Sequence, residues 1–154
     1  MALDATKNLE IHVASICLRR SRKELEVFVF KRSSGRRLYP GLWECGGGQV
    51  RPGESLKEAV VREVKEETNL AVRPLMVYED YTIEAPMLPQ KIIPGVKFIC
   101  LMKDKNLKIV LQEGHTEYRW ISEKDLKKEK LNFIPGIKND IKKAFFLVDK
   151  LRLI

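Results

Sequence analysis

Three glutamates that could act together lie in the stretch from Gly48 to Leu70, which reads GQVRPGESLKEAVVREVKEETNL. Residues spaced alternately by three and four positions share one face of a helix, and this stretch contains such a series. Its members are Leu56, Val60, Glu63, Glu67 and Leu70. Two carboxylates therefore fall on the stripe that should face the core, and Glu66 lies beside them.

Inward-facing glutamates need compensation, because buried carboxylates are costly to desolvate and repel one another. A divalent metal ion is the simplest compensation. Hard oxygen ligands without a nearby His or Cys favour magnesium or manganese over zinc, so the pattern predicts Mg²⁺ or Mn²⁺ as the cofactor. The alternative is a solvated acidic face balanced by Arg62 and Lys65. Apolar residues continue the stripe on both sides of the glutamates, which argues against that alternative.

The helix that would carry these glutamates has a clear start signal. Ser55 follows the turn dipeptide Pro52-Gly53, and Glu58 three residues later completes a capping-box pattern. The sequence therefore predicts a helix from about Ser55 to Thr68.

The spacing of this stretch resembles the Nudix box. Gly48 and Glu54 are followed by the run Arg62-Glu63-Val64-x-Glu66-Glu67-x-Asn69-Leu70. The family pattern has Gly where this chain has Asn69, and Asn tolerates the left-handed conformation best after Gly. The resemblance implies that Glu66 and Glu67 are metal ligands and that Glu63 is a ligand or the general base. It also implies that Arg62 orients a carboxylate, with Glu54 and Glu63 as its partners.

The resemblance extends to the segments on both sides of the box. Trp43-Glu44-Cys45-Gly46-Gly47 resembles the family's W-E-F-P-G-G approach, with Cys and Gly in place of Phe and Pro. It implies that the Gly47 carbonyl binds metal. A further carboxylate is expected ahead of the strand that contains Trp120, where Glu113 is the candidate ligand or base and Glu117 the alternative.

Composition limits the class of protein. The length of 154 residues predicts a single domain. The formal net charge of +8 suggests an anionic partner. No apolar run approaches the roughly 18 residues of a membrane span, and the N-terminus lacks a signal-peptide pattern, so a cytoplasmic protein is expected. Its three cysteines, Cys17, Cys45 and Cys100, are predicted to be buried reduced thiols.

The remaining pattern predicts strands before and after the box. Glu10–Arg19 and Leu25–Phe30 should form a hairpin, followed by a polar loop over Lys31–Pro40. Further strands are expected over Ala71–Glu84, over Val96–Met102 and around Trp120, with a loop over Pro86–Gly95. Ser122 should cap a short helix near Glu123 to Lys127, and Pro135 should open the final helix, whose apolar stripe is Ile137, Ile141, Phe145 and Val148. The predicted fold is an α/β/α sandwich, with a mixed sheet between the box helix and the C-terminal helix.

The function that the resemblance implies is metal-dependent hydrolysis of a diphosphate linkage in a nucleoside diphosphate derivative. A nucleoside triphosphate is the leading substrate, and an ADP-sugar or a dinucleoside polyphosphate is the alternative. The basic charge alone suggests an RNA-end processing enzyme, with nucleic acid as a secondary partner. A non-catalytic nucleotide-binding module is disfavoured because all the box glutamates are present. A monomer and a homodimer both remain open.

Overall fold

The computed structural model describes residues 10–22, 24–84, 92–104 and 106–154. Seven strands and three helices follow one another along these residues. In chain order they are β1 (His12–Ser21), β2 (Glu24–Arg32), β3 (Trp43–Glu44), β4 (Gly47–Gln49), α1 (Leu56–Thr68), β5 (Val72–Glu84), β6 (Ile92–Met102), β7 (His115–Ser122), α2 (Glu123–Lys128) and α3 (Ile137–Leu151).

The strands form one mixed sheet with the order β3-β2-β1-β6-β5, to which β4 adds beside β1 and β7 beside β2. The pairing of β1 with β6 is parallel, and the other strand pairs are antiparallel. The predicted hairpin of the first two strands is confirmed. Nearer the start of β1, Ala14 lies opposite both Gly47 of β4 and Lys97 of β6.

Alternating residues of the sheet send side chains to two separate cores. On one face Val13, Cys17, Phe28 and Phe98 pack with residues of α1 such as Val60 and Val64. On the other face Ile16, Val29 and Ile99 pack with residues of α3 such as Ile141 and Val148. The structure is therefore the predicted sandwich, with the box helix and the C-terminal helix on opposite faces of the sheet.

Several predicted boundaries are wrong. The strand β6 begins at Ile92, so residues 92–95 belong to a strand and not to the expected loop over Pro86–Gly95, of which residues 86–91 lie outside the described part of the chain. Pro94 is tolerated because it pairs only with Thr82 of β5, while pairing of β6 with β1 starts at Gly95. The polar loop after β2 begins after Arg32 and not at Lys31. At the other end, α3 begins at Ile137, after the cap residue Gly136.

The three cysteines are free and buried, as predicted. Within the described residues, none of the helices is long and apolar enough to cross a membrane.

Candidate active site

Helix α1 carries the glutamates, and local sequence fixes both of its ends. Ser55 and Glu58 form the reciprocal capping box, and Asn69 ends the helix in the left-handed conformation with φ of 64°. The buried positions of the helix are Ala59, Val60, Val64, Glu67 and Thr68. Glu67 therefore lies on the face that packs against the sheet, as the periodicity predicted.

The glycines of the approach segment make room for the carboxylates of Glu63 and Glu67. A Cβ atom on Gly46 would lie 2.6 Å from Oε2 of Glu67, and one on Gly48 would lie 2.1 Å from Cδ of Glu63. The side chain of Glu67 also accepts a hydrogen bond from the backbone N–H of Gly47. A larger residue at Gly46 would displace Glu67, and one at Gly48 would displace Glu63. Glycine at these two positions therefore leaves the space that the carboxylates occupy.

Glu67 is 8% exposed, and its environment favours the protonated form of the carboxyl group. Burial raises the pKa of Glu67 well above its ordinary value, and the nearby charges of Glu44 and Glu63 raise it further. The hydrogen bond from Gly47 acts in the opposite direction without reversing the shift. A cation beside Glu67 would offset both the burial and the repulsion.

Arg62 contacts both of the partners predicted for it, Glu54 and Glu63. Its Nε and Nη2 donate to the two carboxylate oxygens of Glu54 over 2.6 and 2.9 Å, and its Nη1 donates to Glu63 over 2.7 Å. The hydrogen bonds from Arg62 and from the backbone N–H of Arg51 hold the pKa of Glu54 at about 2. Glu54 is therefore an ionised anchor for Arg62, and Arg62 in turn fixes the carboxylate of Glu63.

Glu66 lies on the rim of the site. Its side chain is 38% exposed and accepts hydrogen bonds from Arg51 over 3.1 Å and from Arg62 over 3.2 Å. Within the described residues, no three carboxylate, imidazole or thiol groups converge closely enough to hold a metal ion in this conformation. In the structure, the cationic partners of Glu66 are Arg51 and Arg62.

Glu113 is exposed, in the turn that precedes β7. The adjacent residue Gln112 ties this turn to α1, because its backbone N–H donates to the carbonyl of Glu67 over 2.9 Å. The alternative, Glu117, pairs with Lys31 across the sheet over 3.0 Å. The structure thus brings the Glu113 turn to the end of α1 but leaves its side chain outside a formed cluster, and its role stays a prediction.

Sequence reasoning missed a buried charge cluster beside the glutamates. The carboxylate of Glu44 is hydrogen-bonded to Nε2 of His115 over 2.8 Å and accepts a hydrogen bond from Nη1 of Arg32 over 2.9 Å. Burial opposes ionisation of Glu44, but His115 and Arg32 lower its pKa below the ordinary value. Because the charge of Glu44 acts on Glu67, the site contains a further fixed anion. No periodicity signals this contact, since the three residues come from separate strands.

A second cluster lies on the opposite face of the sheet. Lys97 donates to Asp140 over 2.9 Å and to Glu79 over 3.0 Å, and Asp140 is 9% exposed in the first turn of α3. Asp140 lies three residues after Ile137, next to the apolar stripe of that helix. An acidic residue beside an apolar stripe is the pattern by which Glu63 and Glu67 were predicted to be buried. The same pattern in the sequence of α3 could have predicted that Asp140 is buried.

The donor set fits a hard divalent cation. The carboxylates of Glu63 and Glu67 occupy space that a Cβ atom at Gly48 or Gly46 would fill. None of the ion pairs among the described residues includes the buried Glu67. Oxygen ligands of this kind suit magnesium and manganese. The free thiols of the three cysteines are buried, and burial raises the pKa of Cys45.

Comparison with known proteins gives the family. A family model described as the NUDIX domain matches residues 10–139. The nucleoside triphosphatase NudI of Klebsiella pneumoniae subsp. pneumoniae is 30% identical over 108 residues, which are 66% of this chain and 76% of that protein. A MutT protein from Methanosarcina mazei Go1 has a crystal structure that superposes with a TM-score of 0.67 at 26% identity, over 97% of this chain and 99% of that one. An Ap4A hydrolase from C. elegans, 18% identical, shares the fold with a TM-score of 0.69 over 92% of this chain and 99% of its own.

The family match spans all of the glutamates and glycines described above, and the resemblance predicted from the box is confirmed. Enzymes of this family generally need divalent metal ions. The chain belongs to the Nudix family and is a Nudix hydrolase.

Proposed function

We propose that this protein is a nucleoside triphosphate pyrophosphohydrolase that depends on Mg²⁺ or Mn²⁺. The observation that carries the proposal is the buried carboxylate of Glu67 against Gly46, with the carboxylate of Glu63 against Gly48. The similarity to a nucleoside triphosphatase at 30% identity supports the choice of substrate. The free, buried cysteines are compatible with a reducing cytoplasm, where we expect the enzyme to work as one Nudix domain over residues 1–154.

In the proposed reaction, a water oxygen forms a bond to phosphorus while the bridging P–O bond between the first and second phosphates breaks. The electron pair of the broken bond leaves with the departing phosphate oxygen, and the products are a nucleoside monophosphate and pyrophosphate. The water proton passes to a carboxylate, for which Glu63 and Glu113 are the candidates. When bound, a divalent cation would neutralise charge on the phosphoryl oxygens and lower the pKa of the attacking water.

The chain contributes ligands and orientation. The proposed metal ligands are the carbonyl of Gly47 and the side chains of Glu63, Glu66, Glu67 and Glu113. Arg62, itself anchored on Glu54, holds the Glu63 carboxylate in one orientation through a bond of 2.7 Å. Binding of a cation by Glu66 would compete with its ion pair to Arg51, whose side chain is 61% exposed and can move into solvent. An exposed ion pair of this kind contributes at most about 1 kcal/mol, so its loss is a small cost.

The test is turnover of a nucleoside triphosphate by Glu66→Gln and Glu67→Gln in the presence of Mg²⁺ or Mn²⁺. We expect each variant to lose about 100-fold or more in kcat, because each loses a charged ligand of the cation. Glu58→Gln is the matched control on the same helix, since Gln also completes a capping box and Glu58 lies on the exposed side. Wild-type turnover by both variants would refute the proposed site.

A further inference from the structure

The loop that follows β2 folds back onto the turn that precedes β7. The backbone N–H of Ser33 donates to the carbonyl of Gly114 over 2.8 Å, and the N–H of Arg36 donates to Ser33 over 3.2 Å. The side chain of Arg32 then fixes the far part of the loop by donating to the carbonyl of Leu38 over 2.9 Å. These contacts hold Arg36 over the segment that contains Glu113.

Arg36 packs its guanidinium directly on Gly114. A Cβ atom at Gly114 would lie 2.9 Å from Nε and 3.1 Å from Cζ of Arg36. Gly114 also has φ of +98°, a conformation that residues with a side chain rarely adopt. Position 114 therefore suits only glycine, because of its positive φ and because the guanidinium of Arg36 fills the space that a side chain would need.

The Nε of Arg36 is buried and has no hydrogen-bond partner in the described part of the chain. Other arginines near the site are satisfied by carboxylates, as in the pairs Arg32–Glu44, Arg51–Glu66 and Arg62–Glu54. Leaving a donor of a charged group buried without an acceptor is costly. An acceptor supplied by a ligand would remove that cost.

The surroundings of Arg36 indicate which kind of acceptor would bind there. Gly114 lies between Glu113 and His115, and the same turn is tied to the end of α1 through Gln112. His115 bonds Glu44, whose charge acts on Glu67. The guanidinium thus lies on the turn that contains Glu113, one of the proposed metal ligands. A planar guanidinium matches the oxygens of a phosphate group in charge and geometry.

We propose that Arg36 binds a non-bridging oxygen of the substrate's phosphate chain and so selects polyphosphorylated substrates. This inference rests on the proposed function and adds a positioning residue from outside the Nudix box. Gly114 is the residue that permits the arginine to reach this position.

The experiment measures dissociation constants of two probes with Mg²⁺ present: inorganic tripolyphosphate and a nucleoside triphosphate with a methylene bridge between its first two phosphorus atoms. We expect Arg36→Gln to weaken the binding of both probes by the same factor, about 10- to 100-fold, because the lost contact is to phosphate. Arg37→Gln removes the same charge from the exposed neighbouring position and should change either constant by less than about threefold, as expected for a screened surface charge. In steady-state kinetics the Arg36 variant should raise KM more than it lowers kcat.

Equal constants for Arg36→Gln and Arg37→Gln would overturn the inference. So would weaker binding of the nucleotide analogue alone, since the contact would then be to the nucleoside. If the wild-type protein neither binds nor hydrolyses a triphosphate, both the proposed function and this inference fail. Should Arg36→Gln not fold, Arg36→Lys replaces it, because Lys keeps the aliphatic stem on Gly114 without the planar fork. Weaker binding of both probes by a folded Arg36→Lys would then support the inference, and wild-type binding would overturn it.

Discussion

At the scale of single residues, Glu67 links the site to the stability of the protein. Its pKa in the folded state is raised above the value of about 4.3 expected in an unfolded chain, and burial is the main cause. The folded state therefore holds the proton more tightly than the unfolded state. The resulting stabilisation is fully present below the unfolded pKa and is lost as the pH rises through the folded pKa.

Glu67→Gln should consequently stabilise the metal-free protein at high pH, since Gln carries no charge to bury. We expect its Tm at pH 8 to exceed that of the wild type by about 2–4 °C, the shift that ~1 kcal/mol gives in a chain of this size. The difference should shrink towards pH 4.5, where the wild-type carboxyl group is also neutral. Added Mn²⁺ should raise the Tm of the wild type more than that of the variant. A variant that is less stable than the wild type at pH 8 without metal would contradict this view of Glu67.

Glu113 and Glu117 compete for the role of the further carboxylate. Glu113 belongs to the turn that Gln112 ties to α1, whereas Glu117 already pairs with Lys31. Glu113→Gln should therefore lower kcat by about 10- to 100-fold, the usual effect of disturbing a metal's ligand shell. Glu117→Gln should retain wild-type kcat within about twofold, as for an exposed ion pair. If only Glu117→Gln loses activity under the same assay conditions, the further carboxylate lies in β7 itself.

At the scale of elements, the active site depends on how closely β4 approaches α1. Gly48 leaves no space between its own backbone and the carboxylate of Glu63. Gly48→Ala should move that carboxylate and weaken both Mn²⁺ binding and turnover by about 10-fold or more, since ligands must be held within roughly 0.5 Å. Gly35→Ala is the control, because a Cβ there would meet nothing within 4 Å. Unchanged Mn²⁺ affinity in Gly48→Ala would mean that Glu63 is not held as proposed.

The sequence predicted an element well where residues next to it in the chain determine its ends. The start of α1 follows from Ser55 and Glu58, and its end from Asn69, so its bounds were predicted to within one residue. The start of β6 was missed because Pro94 and Gly95 are typical of loops. In the structure Gly95 is needed inside the strand, since a Cβ there would lie 2.6 Å from the ring of Tyr81. Contacts such as Glu44 with His115 join distant parts of the chain, and no local pattern predicts them.

At the scale of the whole molecule, the net positive charge favours an anionic ligand. The net charge is +8, and two of the arginines near the site are paired with carboxylates, Arg32 with Glu44 and Arg62 with Glu54. Recognition of nucleic acid usually needs a continuous basic stripe along a groove or face. A net positive charge attracts small polyphosphates as well as RNA, so an RNA with a 5′-triphosphate belongs among the substrates to be compared.

The most direct test of the proposed function is to identify the products formed from a nucleoside triphosphate, once with Mg²⁺ and once with a chelator. Ion-exchange chromatography and phosphorus NMR identify the products. ADP-ribose, diadenosine tetraphosphate and an RNA with a 5′-triphosphate serve as competing substrates in the same assay. We predict a nucleoside monophosphate and pyrophosphate as products, formed only when a divalent cation is present and faster than any cleavage of the competing substrates. Release of a nucleoside diphosphate with phosphate, cleavage that persists with chelator, or no cleavage of any nucleoside triphosphate would contradict it.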